Sequence, residues 1–460
     1  MKRRYGNQSM ATYWSPLKKL FVLGGLLFVT GIVLIGYGIH LRHFSDAPMD
    51  LSVAGRDLYR LGLLGVIFGG GCIICSILGD IHLPEKVRLQ YMLRERLFAK
   101  SAGNPLGLKS DSVVPFFYLK KTGQAQYRVM VETSACSPDV LVKMPKIISA
   151  GLVGPYAGWA VTLVDEDPAS SYVAYIIEDV SASKKLIVDN VYTLATEYPY
   201  QVTIQDGFFL DLRKSGSILI CGKTRSGKTT AVEAMLMSIL LHGPDQYSST
   251  ITIIDPKNAE LSTLPHVISP SHGGDAHAIL RALKNFNAIR MERQAVLNAL
   301  AEKRGVPVHW WETNMAPAIL FMDEWVALQS LFPKRAVKED SEYCQQTLHD
   351  LVRIIVTMGA SAGCYVILST AEASVEAAGV PSMIRAAMGT KILMRPTRQE
   401  GALLWSTEKM EVLPERRYAQ GDAWLSSTDG VHDDPTFVQF PALKFEEYSV
   451  LKTLLNAYYE

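Results

Sequence analysis

What this sequence most plainly lacks is an excess of one charge. Lys and Arg number 46 against 45 Asp and Glu, a formal net charge of +1. That balance excludes a surface that is basic all over, so any contact with nucleic acid must come from a local patch. Cysteine is also scarce. Its six copies are scattered and two sit inside an apolar run, which excludes a disulfide-stapled scaffold and suits a reducing compartment. Cys72 and Cys75 form a lone CxxC without further ligands nearby, so they read as small residues of a membrane helix rather than a metal site. At 460 residues the chain has room for two or three domains.

Long uncharged runs, by contrast, occur twice. Leu20–Ile39 reads LFVLGGLLFVTGIVLIGYGI. As a helix, twenty such residues cover about 30 Å, the thickness of a bilayer core. This run is too long for a cleaved signal peptide and has no small-residue cleavage site. Leu61–Leu78, LGLLGVIFGGGCIICSIL, is the second. Lys2, Arg3, Arg4, Lys18 and Lys19 precede the pair, and Lys86, Arg88, Arg94, Arg96 and Lys100 follow it. Between the runs stand only Arg42, Arg56 and Arg60, offset by Asp46, Asp50 and Asp57. Basic residues collect on the cytoplasmic side, so this pattern predicts a two-pass anchor over 1–83 in the cell membrane, with both termini cytoplasmic. Gly65 and Gly69 make a GxxxG, which fits either an oligomerisation face or the ordinary frequency of glycine in membrane helices.

Residues 84–100 look helical and basic, and are expected to leave the bilayer along its surface. Within 101–200, runs such as VVPFFYLKK, YRVMVE, WAVTLVDED and YVAYIIED lie between turn signals. No repeat, low-complexity tract or catalytic motif occurs there, so 84–200 reads as a linker helix and a β-rich adaptor. From 201 to 460 the pattern changes to strand, helix, strand, helix. SILIC, TITIID, AILFMD, YVILST and TKILM are near-continuous apolar runs, as required of parallel strands buried on both faces. A long helix lies among them, with Asp275 as its expected N-cap and Gly305 as its stop.

Directly after SILIC comes Gly222-Lys223-Thr224-Arg225-Ser226-Gly227-Lys228-Thr229, a match to GxxxxGK[ST]. Glycines let such a loop curl so that successive N–H groups face phosphate oxygens, and the helix that follows adds positive potential at its N-terminus. Lys228 is expected to meet the β- and γ-phosphates of ATP. The Thr229 hydroxyl is expected on Mg²⁺, and Thr230 completes the loop. Arg225 stands where many such loops carry glycine; solvent, phosphate and a neighbouring subunit are all open to it.

Asp323 and Glu324 end AILFMD. A carboxylate at the carboxyl edge of a strand beside a phosphate loop is placed to hold hydrated Mg²⁺, and Glu324 can take a proton from the attacking water. Thr370 ends YVILST and is a candidate sensor of the γ-phosphate. Arg385, Arg395 and Arg398 are candidates for a charge-stabilising arginine, with Arg385 placed first. His272 and His277 flank GGDA without a cysteine or third ligand, so metal ligation is not expected there.

Several stretches in order resemble the FtsK/SpoIIIE family of DNA translocases: IIDPKNAEL (253–261), AIRMERQAVL (288–297), AILFMDEWVAL, GASAGCYVILST (359–370) and AQGDAWLS (419–426). The resemblance covers roughly 200–430. It implies an α/β, RecA-like P-loop NTPase assembled as a homo-hexamer around DNA, with nucleotide roles for Lys228, Thr229, Asp323 and Glu324. Asp255 and Lys257 match family positions near the nucleotide. The chain also departs from the family. Ala371 replaces the glutamine after the sensor threonine, and Ser361 and Ala362 replace the family's residues before its glycine. The short stretch after the last motif is not expected to hold an orientation-reading winged helix, and no long Pro/Gln-rich linker is expected.

That layout is similar to the TcpA-like coupling proteins of Gram-positive mobile elements. It implies a partnership with a relaxase–DNA complex and a type IV secretion channel in conjugative transfer. A plasmid or chromosome segregation translocase and a protein-secretion ATPase are the alternatives. Basic side chains for DNA without strong sequence preference are available at Lys334, Arg335 and Lys338.

Overall fold

The computed structural model describes residues 16–42, 49–82, 84–97, 116–123, 126–133, 138–166, 171–243, 250–270, 276–336, 338, 340–371, 379–413 and 418–459. The chain divides into two compact units, 1–182 and 183–460.

The first unit begins with helices α1 (Pro16–Arg42) and α2 (Met49–His82). Each is long and apolar enough to cross a membrane, over Lys19–Arg42 and Val53–Ile77. The second helix starts well before the uncharged run at Leu61, so Arg56, Asp57 and Arg60 lie on it and not in a connecting hairpin. The two helices pack through a glycine seam. A Cβ on Gly24 would lie 2.8 Å from the Gly69 carbonyl oxygen, one on Gly31 would lie 2.7 Å from that of Gly62, and one on Gly38 would lie 2.8 Å from that of Gly55. The glycines recur every seventh residue on both helices, which keeps one stripe on the partner as in a left-handed antiparallel coil. Removing side chains there lets the backbones meet, the usual way membrane helices pack without a hydrophobic driving force. Gly65 and Gly69 therefore serve contact within the chain: a Cβ on either would meet α1, at 3.2 and 2.6 Å.

A four-stranded antiparallel sheet follows in the order β1-β2-β4-β3. Its strands are β1 (Phe117–Gly123), β2 (Gln126–Glu132), β3 (Trp159–Glu166) and β4 (Tyr172–Asp179). Helix α3 (Glu85–Leu97) does not lie free, as expected of a helix leaving along a membrane surface: Leu89, Leu93 and Leu97 are buried in the sheet's core with Phe117, Val129 and Tyr175. The Tyr127 hydroxyl donates to the Glu85 carboxylate at 2.7 Å. Helix α4 (Pro138–Gly151) is an element the β-rich expectation omitted. Its apolar residues Met144 and Ile148, with Leu152 just past its end, recur at helical spacing, but Pro145 within it masks the signal.

The second unit starts at Ser183 rather than near 201, because Val188, Leu194, Val202 and Leu210 all enter its core. Its opening elements are β5 (Ile187–Val188), the hairpin β6 (Gln201–Gln205) and β7 (Phe208–Asp211), and the short α5 (Leu212–Ser215). Next come β8 (Ile218–Gly222), α6 (Lys228–Leu240), β9 (Thr250–Ile254), β10 (Val267–Ile268), α7 (His277–Arg304), β11 (Ala318–Met322), α8 (Trp325–Ser330), α9 (Gln345–Met358) and β12 (Cys364–Thr370). The chain closes through α10 (Ser382–Ala387), β13 (Thr390–Met394), α11 (Arg398–Leu404), α12 (Thr407–Val412), β14 (Asp422–Ser427), β15 (Thr436–Gln439), β16 (Ala442–Leu443) and α13 (Glu447–Tyr459).

Eight strands form one sheet in the order β10-β9-β11-β12-β8-β13-β14-β15. The first six are parallel, and β14 and β15 add antiparallel pairs at one edge. Along β8, Ile218 and Ile220 face the core containing α6 and α13, while Leu219 and Cys221 face the core containing α7, α9 and α10. Burial on both faces is why these strands read as unbroken apolar runs. Gly305 ends α7 in the left-handed conformation at φ 70°. The residue at the start of α7 is Ala276; Asp275, expected there, lies outside the described residues, as does His272.

Candidate functional site

The sheet order brings the chemistry together. β12 lies between the phosphate-loop strand β8 and the acidic strand β11, and all three run parallel, so their carboxyl ends open on one side. Ligands of α/β sheets sit outside those ends.

Residues 222–229 wrap from β8 into α6. Arg225 and Gly227 both adopt the left-handed conformation, at φ 66° and 93°. Such turns aim consecutive N–H groups into one concavity, and the N-terminus of α6 faces the same place. Lys223, Thr224, Arg225 and Thr229 are exposed, Ser226 and Gly227 are buried, and Lys228 and Thr230 are half-buried. Two elements clamp the loop from outside. The Gly421 N–H donates to the Ser226 carbonyl at 2.9 Å, and the Arg395 guanidinium donates to the Arg225 carbonyl at 3.1 Å. Lys223 pairs with Glu400 at 3.3 Å. The segment AQGDAWLS thus acts as a backstop: Asp422 accepts from the Ala419 N–H and from the Gln439 amide, which fixes the turn carrying Gly421.

Across the cleft, Glu324 is buried and sits at φ 47°, a left-handed conformation uncommon for a non-glycine residue. Its Oε2 accepts from Lys228 Nζ and from Lys257 Nζ, each at 3.2 Å, and its Oε1 accepts from the Ala371 N–H at 2.9 Å. Burial pushes the Glu324 carboxyl up, but Lys228, the Ala371 N–H and Lys257 together outweigh burial and hold it below the usual carboxylate range. Asp323 accepts from the Ser369 hydroxyl at 3.0 Å. Beside β9, Asp255 is buried and accepts from the backbone N–H groups of Lys257, Ala259 and Ser262, each at 3.0 Å.

The hydroxyl that β12 sets on Asp323 is that of Ser369; Thr370, one residue on, is fully buried at the strand's end. Alternation along a strand is the signal that separates the two. At Ala371 the lost polar side chain is replaced by a main-chain N–H on Glu324. Arg385 is half-buried on α10, close enough to β8 that its charge acts on the Cys221 thiol, whereas Arg395 and Arg398 are exposed. The MER segment is structural: Arg293 donates to the Ala362 and Ala316 carbonyls at 2.7 and 2.6 Å. His277 pairs with Asp340 at 2.6 Å and stacks on Tyr343, anchoring the loop whose tip exposes Lys334, Arg335 and Lys338.

The Thr229 hydroxyl and the Asp323 carboxylate are hard oxygen donors of the kind Mg²⁺ takes, and a carboxylate pair beside a phosphate cradle fits that ion. Among the described residues no cluster of His, Cys, Asp and Glu forms a separate metal site.

The FtsK/SpoIIIE family model matches residues 189–362, the segment running from just after β5 to the turn before β12. Over those residues the chain is similar to the FtsK/SpoIIIE family. Two curated relatives are DNA translocases named FtsK. That of Helicobacter pylori is 30% identical over 207 residues, 40% of this chain and 22% of the relative. That of Chlamydia trachomatis is 27% identical over 177 residues, 37% of this chain and 22% of the relative. The chain therefore spans about a fifth of the length of these relatives. Among solved structures, the pCW3 conjugation coupling protein TcpA with ATPγS is similar at a TM-score of 0.49 and 15% identity, over 79% of this chain and 99% of that one.

Proposed function

We propose that this chain is a membrane-anchored, ATP-driven DNA translocase that works as a homo-hexamer and couples a relaxase–DNA complex to a type IV secretion channel. The observation that carries the ATPase reading is the meeting of Lys228 and Glu324 at 3.2 Å, between a phosphate loop and an acidic strand end. That distance puts the phosphate-loop lysine and the candidate general base within reach of the same phosphates.

In this reading the N–H groups of 223–229 cradle the phosphates of ATP, and Lys228 leaves Glu324 for the β- and γ-phosphate oxygens. Thr229 and Asp323 would hold the Mg²⁺, which would neutralise phosphate charge when bound. Glu324, freed from Lys228 and still oriented by the Ala371 N–H, takes the proton of the water that attacks the γ-phosphorus. The bond to the β-phosphate oxygen breaks and ADP leaves. Ser369 fixes the Asp323 carboxylate, and Arg385 is the candidate to stabilise charge in transit.

DNA as the substrate rests on the FtsK/SpoIIIE segment and on the exposed Lys334, Arg335 and Lys338, held up by the His277–Asp340 anchor. The conjugative role rests on the resemblance of the layout: two apolar helices, a small sheet and one motor unit. The test is ATP turnover of the full-length chain in detergent with single-stranded DNA, double-stranded DNA and a relaxase–DNA complex. Strongest stimulation by the relaxase–DNA complex is expected. Stimulation by bare duplex alone favours a segregation translocase, and none by any DNA favours protein secretion.

A further inference from the structure

Lys257 has no step in the mechanism above, yet its ammonium sits in the acidic site. Its Nζ is 3.2 Å from Glu324 Oε2 and 4.0 Å from Asp323 Oδ2. No other side chain among the described ion pairs reaches both carboxylates. Its backbone is held just as firmly. Asp255 accepts the Lys257 N–H and two further N–H groups of the same turn, and the Ser269 hydroxyl donates to the Asp255 carbonyl at 2.8 Å. The stem therefore starts from a fixed point beside β9, while the side chain remains 43% exposed.

We propose that Lys257 is a built-in counter-ion: it holds the Asp323–Glu324 pair in working geometry while the site is empty, and yields its place to the divalent cation that arrives with ATP. This rests on the ATPase reading above. Two adjacent carboxylates, one of them buried, repel unless a cation stands between them. Lys228 balances only Glu324. Lys257 supplies the missing charge for Asp323, and it does so reversibly. A half-exposed ammonium on a flexible stem is weakly held, whereas a divalent ion carries twice the charge and bonds oxygen at about 2 Å. While Lys257 is in place, the empty site disfavours free metal, so the ion enters with the nucleotide that brings its own negative charge. Lys257 is thus a positioning residue that acts through the acidic pair.

The test uses the full-length chain in detergent without nucleotide, titrated with Mn²⁺ and read by electron paramagnetic resonance. Lys257→Met removes the charge and keeps the stem; it should bind Mn²⁺ about tenfold more tightly than the unaltered chain, and Lys257→Arg should stay near the unaltered value. Equal Mn²⁺ affinity for Lys257→Met and the unaltered chain overturns the proposal. A second measurement needs no variant. Acetylation of Lys257, followed by mass spectrometry, should speed up when Mg·ATPγS is added, and protection overturns the displacement step. Failure of the ATPase reading itself shows elsewhere, as absence of any thermal shift of the unaltered chain with Mg·ATPγS. The Mn²⁺ comparison contains no nucleotide and still decides the role of Lys257.

Discussion

Replacing Gly227 by Ala strikes the phosphate loop where its conformation and its backstop meet. The residue sits at φ 93°, and an added Cβ would lie 2.7 Å from the Gly421 nitrogen. The left-handed conformation costs a non-glycine residue about 1–2 kcal/mol. The Cβ also displaces the N–H that bonds the Ser226 carbonyl, a bond worth about 1 kcal/mol, and it overpacks a buried spot for about 1–3 more. The combined loss is about 3–6 kcal/mol. Gly222 is the built-in comparison. Its φ is not positive, so no left-handed penalty applies, but an added Cβ would meet the Ser226 hydroxyl oxygen at 2.8 Å and, at 2.9 Å, Met394 Cβ, which the backbone of β13 holds in place. Gly222→Ala carries the overpacking alone, without the left-handed penalty or the lost backbone bond, and should cost about 1–3 kcal/mol. Urea denaturation of the full chain, followed by tryptophan fluorescence, measures both, and ATPγS binding should fail first in Gly227→Ala. Equal losses, or a larger loss at Gly222, would refute the account of the loop.

Other consequences are independent of that loop glycine. Arg225→Gly removes a side chain that is exposed and relaxes a left-handed residue, so stability should rise by about 1 kcal/mol with ATPγS binding kept; lost binding would show that the guanidinium touches the nucleotide. Gly31→Ile forces a Cβ to 2.7 Å from the Gly62 carbonyl and should lower the thermal midpoint of the chain in detergent, whereas Gly25→Ile, where nothing lies within 4 Å, should not. Equal effects would mean that the seam does not join the helices. Burial pushes the Cys221 thiol up to about 12, so at pH 8 it should resist iodoacetamide until the chain is denatured.

The motor was legible because its signals are local. A phosphate loop between strand and helix, an acidic pair ending an apolar strand, and five strands buried on both faces each write themselves into a few consecutive residues. What stayed hidden depends on contacts between distant residues. That Ser369 is the β12 hydroxyl on Asp323 depends on the pairing of β12 with β11. Lys257 was visible as a motif residue, but its place between the carboxylates requires the β9–β11 pairing. The role of Gly421 exists only because β14 returns beside β13 and sets its N–H on the phosphate loop. The seven-residue glycine spacing is written in the sequence beside the shorter GxxxG, but only the antiparallel register pairs Gly24 with Gly69 and Gly38 with Gly55. Helix α4 was lost to its internal proline, and the start of the second unit to strands only a few residues long.

The central claim is that DNA drives ATP hydrolysis at the Lys228–Glu324 site, and its most direct test is turnover of the full-length chain and of Glu324→Gln, with and without DNA. Gln keeps an oxygen for the Ala371 N–H but cannot take the proton. The account predicts that DNA raises turnover of the unaltered chain, and that Glu324→Gln still binds ATPγS while hydrolysis falls about 10²–10⁴-fold. Hydrolysis at the unaltered rate in Glu324→Gln, or a rate indifferent to every form of DNA, would contradict it.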